Sequence, residues 1–302
     1  MSVVSVTSAH IQGLTASSVS VEVDLSTGLY SFTIVGLPDK AIDESKDRIV
    51  TALKNSGLAT PKSDHHKIVV SLAPADTKKE GSHFDVPIAL GYLVTAKKLS
   101  AELRNKLFIG ELSLHGEIQA ARGILPIAEL AKEVGVKELY VPYSNSEEAA
   151  LVDGITVYGV KTLSELVKHL QQTPGAILQP TPKTKIPHTK PDYFLDFKDV
   201  HGQESAKRAL EIAAIGGHNI ALYGPPGTGK TMLARAFTGI LPKLKDEDVL
   251  EVTKIHSVAG KNSGLITHPP YRSPHHTSSH VSLVGGGTTP RPGEITLAHL
   301  GV

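Results

Sequence analysis

The sequence contains no cysteine. That excludes disulfides, thiolate metal sites and a cysteine nucleophile, and it fits a reducing compartment. Tryptophan is absent and aromatics make up 5% of the chain, so the composition provides no wall of stacking platforms for single-stranded nucleic acid. A dominant charge is missing too, with 31 Lys+Arg against 30 Asp+Glu. No global field therefore marks DNA, RNA or a membrane surface as partner, and any polyanion contact must come from a local patch. No apolar run approaches the roughly 20 residues that cross a bilayer. The start, MSVVSVTSAHIQG, lacks the basic and apolar regions of a secretion signal. A soluble, cytoplasmic protein with no membrane partner is expected.

The 302 residues leave room for about two domains of roughly 100–200 residues each. One stretch divides them. Gln171 to Asp192 holds five prolines and three lysines, which cannot sustain a helix or a central strand. It reads as an extended, partly polyproline linker between a domain at 1–170 and another at 193–302.

The first domain reads as mixed α/β. VVSVTSAHI, SVSVEVDL and YSFTIVGL are β-branched and alternating, which suggests an opening antiparallel meander. After Pro38, Ile42, Ile49, Val50 and Leu53 share a helical face and Gly57 supplies the stop. Strands KIVVSLAP, LFIGELSL, ELYVP and ITVYGV follow, alternating with helices around VPIALGYLVTAKK, ILPIAELAKEV, Ser146 and LSELVKHL.

The segment FIGELSLHGEIQAARGILPIAELAKEVGVKELYVP resembles the proteolytic domain of Lon proteases and its inactive relatives. Gly110-Glu111, Leu114, Gly116, RGILPI from Arg122 and the Val-Pro at Pro142 carry the likeness. The resemblance implies a Lon-like α+β fold for residues 1–170. Active members use a Ser–Lys dyad with the serine in a DGPSAG-like turn. Here the turn reads KEGSHFD, with His83 or Phe84 in the nucleophile's place, and Ala131 stands where the lysine is expected. A dyad shifted to Ser82 and Lys132 would redirect both side chains out of reach of each other. A scaffold without protease chemistry is the favoured reading.

In the second domain, GPPGTGKT at Gly224–Thr231 fits the phosphate-loop pattern G-x-x-x-x-G-K-[ST]. HNIALYG reads as a strand running in and TMLARAFTGIL as a helix running out. Gly224, Gly227 and Gly229 let the backbone curl so that N–H groups face phosphates. Lys230 is the candidate catalytic residue, reaching the β/γ-phosphate oxygens of ATP, and the Thr231 hydroxyl is the candidate Mg²⁺ ligand. Pro225, Pro226, Thr228 and Met232 complete the nucleotide-binding set.

Upstream, FKDVHGQESAKRALEIAA resembles the start of an AAA+ ATPase domain, which implies that Val200, His201, Gly202 and Gln203 border the adenine. Downstream, RSPHHT at Arg272–Thr277, GGG at Gly285–Gly287 and PRPGEITLAHLGV at Pro290–Val302 resemble the magnesium-chelatase-like AAA+ proteins of the YifB/ComM type. Arg272, His275, His276 and Arg291 are then candidate polyanion or inter-subunit contacts. Read alone, VGGGTTP is a flexible hairpin. A metal site among His268, His275, His276 and His280 lacks acidic partners, and adjacent histidines tend to point apart.

The resemblance further implies a homo-hexameric motor acting on single-stranded or branched DNA, as in branch migration, recombination and competence. A chelatase-like protein remodeller is the alternative, and an ATP-dependent protease a weaker one. The sequence ends at Val302, where the strand carrying the second ATP motif is expected. On that reading the AAA+ part is truncated, the chain holds a nucleotide without hydrolysing it efficiently, and residues after about Gly239 pack poorly.

Overall fold

The structure, a computed structural model, describes residues 3–62, 65–187, 195–260, 264–287 and 290–302. It separates into two compact units, Met1–Thr184 and Lys185–Val302.

In the first unit, β1 (Val4–Gln12) and β2 (Thr15–Thr27) form an antiparallel hairpin that turns through Gly13 at φ 63°. The expected meander stops there. β3 (Ser31–Val35) is followed by α1 (Lys40–Asn55), and β4 (His66–Ala73) inserts between β2 and β3, antiparallel to the first and parallel to the second. A parallel pair needs a crossover element, and α1 is that element. Asp39 starts α1 by accepting the Ile42 N–H at 2.9 Å, and its other carboxylate oxygen accepts the Gly81 N–H at 3.0 Å.

The chain continues through α2 (Asp85–Thr95), β5 (Lys106–Phe108), the ribbon of β6 (Glu111–Leu112) and β7 (Ile118–Gln119), α3 (Ile124–Glu133) and β8 (Glu138–Pro142). A single turn, α4 (Ser146–Ala149), precedes β9 (Thr156–Val160) and α5 (Leu163–Leu170). The expected strand over Leu107–Leu114 breaks because Gly110 exchanges backbone hydrogen bonds with His83 and Val86 at the start of α2. The main sheet has seven strands in the order β3-β4-β2-β1-β5-β8-β9. Its short central strands are apolar on both faces. Phe108 and Tyr140 enter one core, whereas Leu107, Ile109, Leu139 and Val141 enter the other. That alternation follows from the two-residue strand period in a sheet covered by helices on both sides.

The proline-rich segment does not begin as a free linker. Residues 171–184 belong to the first unit. The N–H groups of Thr181 and Thr184 donate to the Val157 and Ala150 carbonyls, at 2.8 and 3.1 Å. The Leu178 N–H donates to His169 Nδ1 at 3.0 Å. Residues 188–192 of the expected linker lie outside the described residues.

The second unit contains α6 (Glu204–Gly216), α7 (Lys230–Phe237), α8 (Asp246–Val258), α9 (His280–Val284), the two-residue strands β10 (Gly285–Gly286) and β11 (Arg291–Pro292), and α10 (Glu294–Leu297). The expected strand at His218–Gly224 is unpaired, because no strand lies beside it among the described residues; Tyr223 is fully exposed. The expected poor packing after Gly239 is not what the structure has. Val249, Val252 and Ile255 of α8 are buried, as is Leu297 of α10, and His256 Nε2 lies 3.0 Å from the Leu297 carbonyl oxygen.

His169 makes the attachment of the tail dependent on pH. Tyr140 donates its hydroxyl hydrogen to Glu138 at 2.7 Å, so its oxygen accepts from His169 Nε2 at 3.1 Å, leaving Nδ1 unprotonated to accept from Leu178. Burial holds the His169 pKa below 6.5, with Lys106 acting in the same direction and Glu138 and Glu165 against it. A histidine with a lowered folded pKa stabilises the fold above pH 6.5, and that contribution is lost as pH falls through the folded value. We expect Leu178 amide protection, corrected for intrinsic exchange, to fall below pH 6.5. Equal protection at pH 7 and about pH 5 would contradict this assignment.

Candidate nucleotide site

The extended chain at 218–225 delivers the loop, and α7 leaves it. Gly227 and Gly229 have φ of 82° and 83°, a left-handed region that other residues enter at a cost, and Gly229 is the N-cap of α7. The Thr228 hydroxyl donates to the Pro225 carbonyl at 3.0 Å and closes the turn. Lys230 Nζ donates to the carbonyls of Gly224 and Pro225, at 2.8 and 2.7 Å, and approaches Thr228 Oγ1 at 3.4 Å. The amine therefore sits inside the loop, at the positive end of an eight-residue helix. Loop residues Pro225, Pro226, Gly227 and Gly229, like Thr231, are exposed, while Met232 is half-buried against the core.

The upstream segment reaches the same loop. Gly202 and Gln203 both take positive φ, 68° and 60°, and turn the chain into α6. Gln203 Nε2 approaches the Thr228 carbonyl oxygen at 3.5 Å, whereas His201 and Gly202 are exposed. Val200 faces inward, packed with Leu210, Ala213, Leu233, Ala236 and Phe237. This cluster joins the segment at 200–203 to α7. An anion at the loop would meet the N–H groups of a helix start and a lysine amine, the donor set that phosphates require.

The downstream motifs converge on one another. Arg272 forms a two-point ion pair with Glu294, Nε to Oε2 at 2.5 Å and Nη2 to Oε1 at 2.7 Å. Glu294 was not singled out from the sequence; an acidic residue in PRPGEI opposite an arginine in RSPHHT is the signal that could have found it. His275, His276 and Arg291 are exposed. The rings of His275 and His276 lie 4.3 Å apart rather than pointing away from each other. Among the described residues, no three His, Asp or Glu are grouped to hold a metal ion.

The hairpin expected at VGGGTTP is present in its described part. Gly285, Gly286 and Gly287 have φ of 95°, 114° and 103°, and β10 pairs with β11. A Cβ on Gly293 would lie 2.3 Å from Gly285 N and 2.5 Å from the Leu283 carbonyl oxygen. The glycines of GGG and PRPG thus permit backbone-to-backbone contact. Residues 288–289 lie outside the described residues.

Among the described residues, Ser82 and Lys132 are not brought together. The Ser82 hydroxyl donates to Glu111, and Lys132 is exposed on α3. His83, at the nucleophile's place, is half-buried with Nε2 on the Ala9 carbonyl at 3.0 Å, and desolvation pushes its pKa down to about 4. The buried lysine of this region is Lys79, whose amine donates to the Pro74 carbonyl and is pushed below its ordinary pKa by burial. Arg48 and Asp85 form a further ion pair at 2.7 Å between α1 and the start of α2.

Comparison with known proteins accords with this arrangement. A family model described as "Magnesium chelatase, subunit ChlI" matches residues 196–302, and one described as "Subunit ChlI of Mg-chelatase" matches residues 21–145. The chain is 41% identical to "Competence protein ComM" of Haemophilus influenzae over 306 residues, covering 100% of this chain and 59% of that protein. This chain belongs to the YifB/ComM family. It is 40% identical to "Uncharacterized protein YifB" of Escherichia coli K12, over 96% of this chain and 56% of that protein. "Lon protease 2" of Bacillus subtilis is a distant relative, 26% identical over 162 residues, or 51% of this chain and 28% of that protein. The chain therefore spans less than two thirds of its YifB/ComM relatives. As a YifB/ComM-family chain it carries a magnesium-chelatase-type AAA ATPase region beginning near residue 196. Among the described residues, no helix is long and apolar enough to cross a membrane.

The backbone contact at Gly293 can be tested. Gly293→Ala has no flexible neighbour to push aside, since its nearest contacts are backbone atoms. It should destabilise the second unit by roughly 1–3 kcal/mol, the usual cost of overpacking. Faster amide exchange across 283–297 is the expected readout; wild-type exchange there would show that the close approach does not constrain the fold.

Proposed function

We propose that this chain is the nucleotide-binding part of an AAA+ motor that works on single-stranded or branched DNA as a ring of identical subunits. The observation that carries the reading is the Lys230 amine held inside a left-handed glycine loop at the start of α7, with Gln203 at the loop's rim. In this reading the N–H groups of Gly227, Thr228, Gly229 and Lys230 receive the phosphates of ATP. Lys230 leaves the Gly224 and Pro225 carbonyls for the β/γ oxygens. Thr231 is exposed at the second position of α7, where its hydroxyl is available to the Mg²⁺ that accompanies the nucleotide. Pro225 and Pro226 stiffen the loop's entry, and Met232 backs it from the core. Gly202, His201 and Gln203 border the base, with Val200 anchoring their turn.

ATP supplies the driving reaction. The chain's own residues bind the phosphates, hold the proton-bearing amine of Lys230 against them and orient the base edge. The DNA part of the proposal rests on the competence name of the ComM relative and on three exposed side chains, His275, His276 and Arg291, that could meet a polyanion. The Lon-like unit is proposed as a non-catalytic platform, supported by Ser82 being engaged with Glu111 instead of a lysine.

The test is the ATPase rate of the whole protein with and without forked and single-stranded DNA. Stimulation that disappears in Lys230→Ala, with a loss of roughly 100-fold or more in rate, is the expected result. ATP hydrolysis that no DNA changes would move the assignment to a chelatase-like remodeller of a partner protein. Full activity in Lys230→Ala would remove the phosphate-loop assignment.

A further inference from the structure

Arg272 stands out as an arginine of an exposed motif that is half-buried and ion-paired along one edge. Its guanidinium spends one edge on both Glu294 oxygens, and the two side chains are 27% and 22% exposed. Its backbone N–H donates to the Val302 carbonyl at 2.6 Å, and the Val302 N–H returns a bond to the Pro270 carbonyl at 2.8 Å. Gly301 makes this approach feasible, because a Cβ there would lie 2.1 Å from the Pro270 oxygen. Arg272 is thus fixed to the first residue of α10 by its side chain and to residue 302 by its backbone.

Both attachments lead onward. Val302 packs against the cluster of Leu210, Leu233, Ala236 and Phe237, so it touches the core that includes α7, the helix that begins with Lys230. In the other direction, residues 273–277 follow Arg272 directly into solvent, carrying His275 and His276. A displacement of that loop that reaches Arg272 would break the ion pair or move residue 302 with it.

We propose that Arg272 is a positioning residue, paired with Glu294, that couples the exposed loop at 273–277 to the nucleotide site through Val302, and is not itself a contact for a polyanion. The inference rests on the nucleotide reading of the loop at 224–231. Two properties of the pair suit it to this task. A guanidinium fork fixes direction as well as distance, which a lysine cannot do. A partly buried pair also resists screening better than an exposed one. Coupling of this kind is reciprocal: what holds the loop in place raises nucleotide affinity, and nucleotide binding holds the loop.

The experiment measures the affinity of this chain for a fluorescent ATP analogue with Mg²⁺, and for a single-stranded oligonucleotide, in six proteins. These are the wild type, Lys230→Ala, Arg272→Gln, Arg272→Lys, Glu294→Gln and the exchange Arg272→Glu with Glu294→Arg. Thermal unfolding and amide exchange of α6, α7 and α8 in the second unit report that each variant is folded. We expect Arg272→Gln, Arg272→Lys and Glu294→Gln each to weaken the ATP analogue by roughly 5-fold or more, and the exchange to restore most of it. Should the exchange variant not fold, Arg272→Lys decides, since it keeps the charge and loses the fork. Wild-type nucleotide affinity in Arg272→Lys and Glu294→Gln, with affinity abolished in Lys230→Ala, overturns the coupling and leaves the site intact. Loss of oligonucleotide binding in Arg272→Gln without loss of nucleotide affinity overturns it too, making Arg272 a direct contact. Unchanged affinity in Lys230→Ala removes the nucleotide reading itself, and the coupling with it.

Discussion

One charge organises the second unit: the amine of Lys230 against the carbonyls of Gly224 and Pro225. A cation can lie there only because the loop curls back on itself, and the curl requires left-handed backbone at Gly227 and Gly229. The loop in turn is positioned by α7, and α7 is held by Leu233, Ala236 and Phe237 packed with Leu210 and Ala213 of α6 and with Val200. The core is small, so the placement of the amine depends on a handful of apolar contacts. The same core receives Val302, and through it the Arg272–Glu294 pair. A phosphate arriving at the loop would replace carbonyl acceptors with charged oxygens, a stronger partner for the amine.

In the first unit, distantly similar to Lon protease 2, polar groups near the start of α2 join the elements to one another. Its sheet, both cores and the polar turn before α2 are intact. What differs is the partner of each polar group. Ser82 meets a carboxylate, His83 is half-buried with its ring on the Ala9 carbonyl, and Lys79 is buried on the Pro74 carbonyl. The Ser–Lys pairing of an active dyad is not formed by Ser82, whose hydroxyl donates to Glu111, nor by Lys132, which is exposed on α3. The unit's polar residues fasten elements together: Asp39 ties α1 to Gly81, and Asp85 ties α2 to Arg48.

Local signals made much of this legible in the sequence. The apolar period of α1, its stop at Gly57, the strand period at 138–142 and the glycine spacing of 224–231 all depend on residues close together in the chain, and all appear where the pattern puts them. What could not be read depends on partners far along it. β3 resembles the third strand of a meander until β4, more than thirty residues later, takes the place beside β2. His218–Gly224 has strand composition and no neighbouring strand among the described residues, and composition alone cannot supply ladder hydrogen bonds. The segment at 171–184 holds neither helix nor strand, and its attachment is made by His169, Val157 and Ala150, which no proline count reveals. Arg272 reads as a free cation because its partner is 22 residues away.

The central claim is that the backbone at 224–231, with Lys230, is a phosphate receptor. Amide hydrogen exchange across those residues, with and without ATP and Mg²⁺, tests it most directly, since the N–H groups themselves are the proposed ligands. If the loop receives phosphate, the amides of Gly227, Thr228, Gly229 and Lys230 become protected on adding the nucleotide, while those of the first unit's sheet do not change. Exchange at those four positions that is the same with saturating ATP as without it would contradict the account.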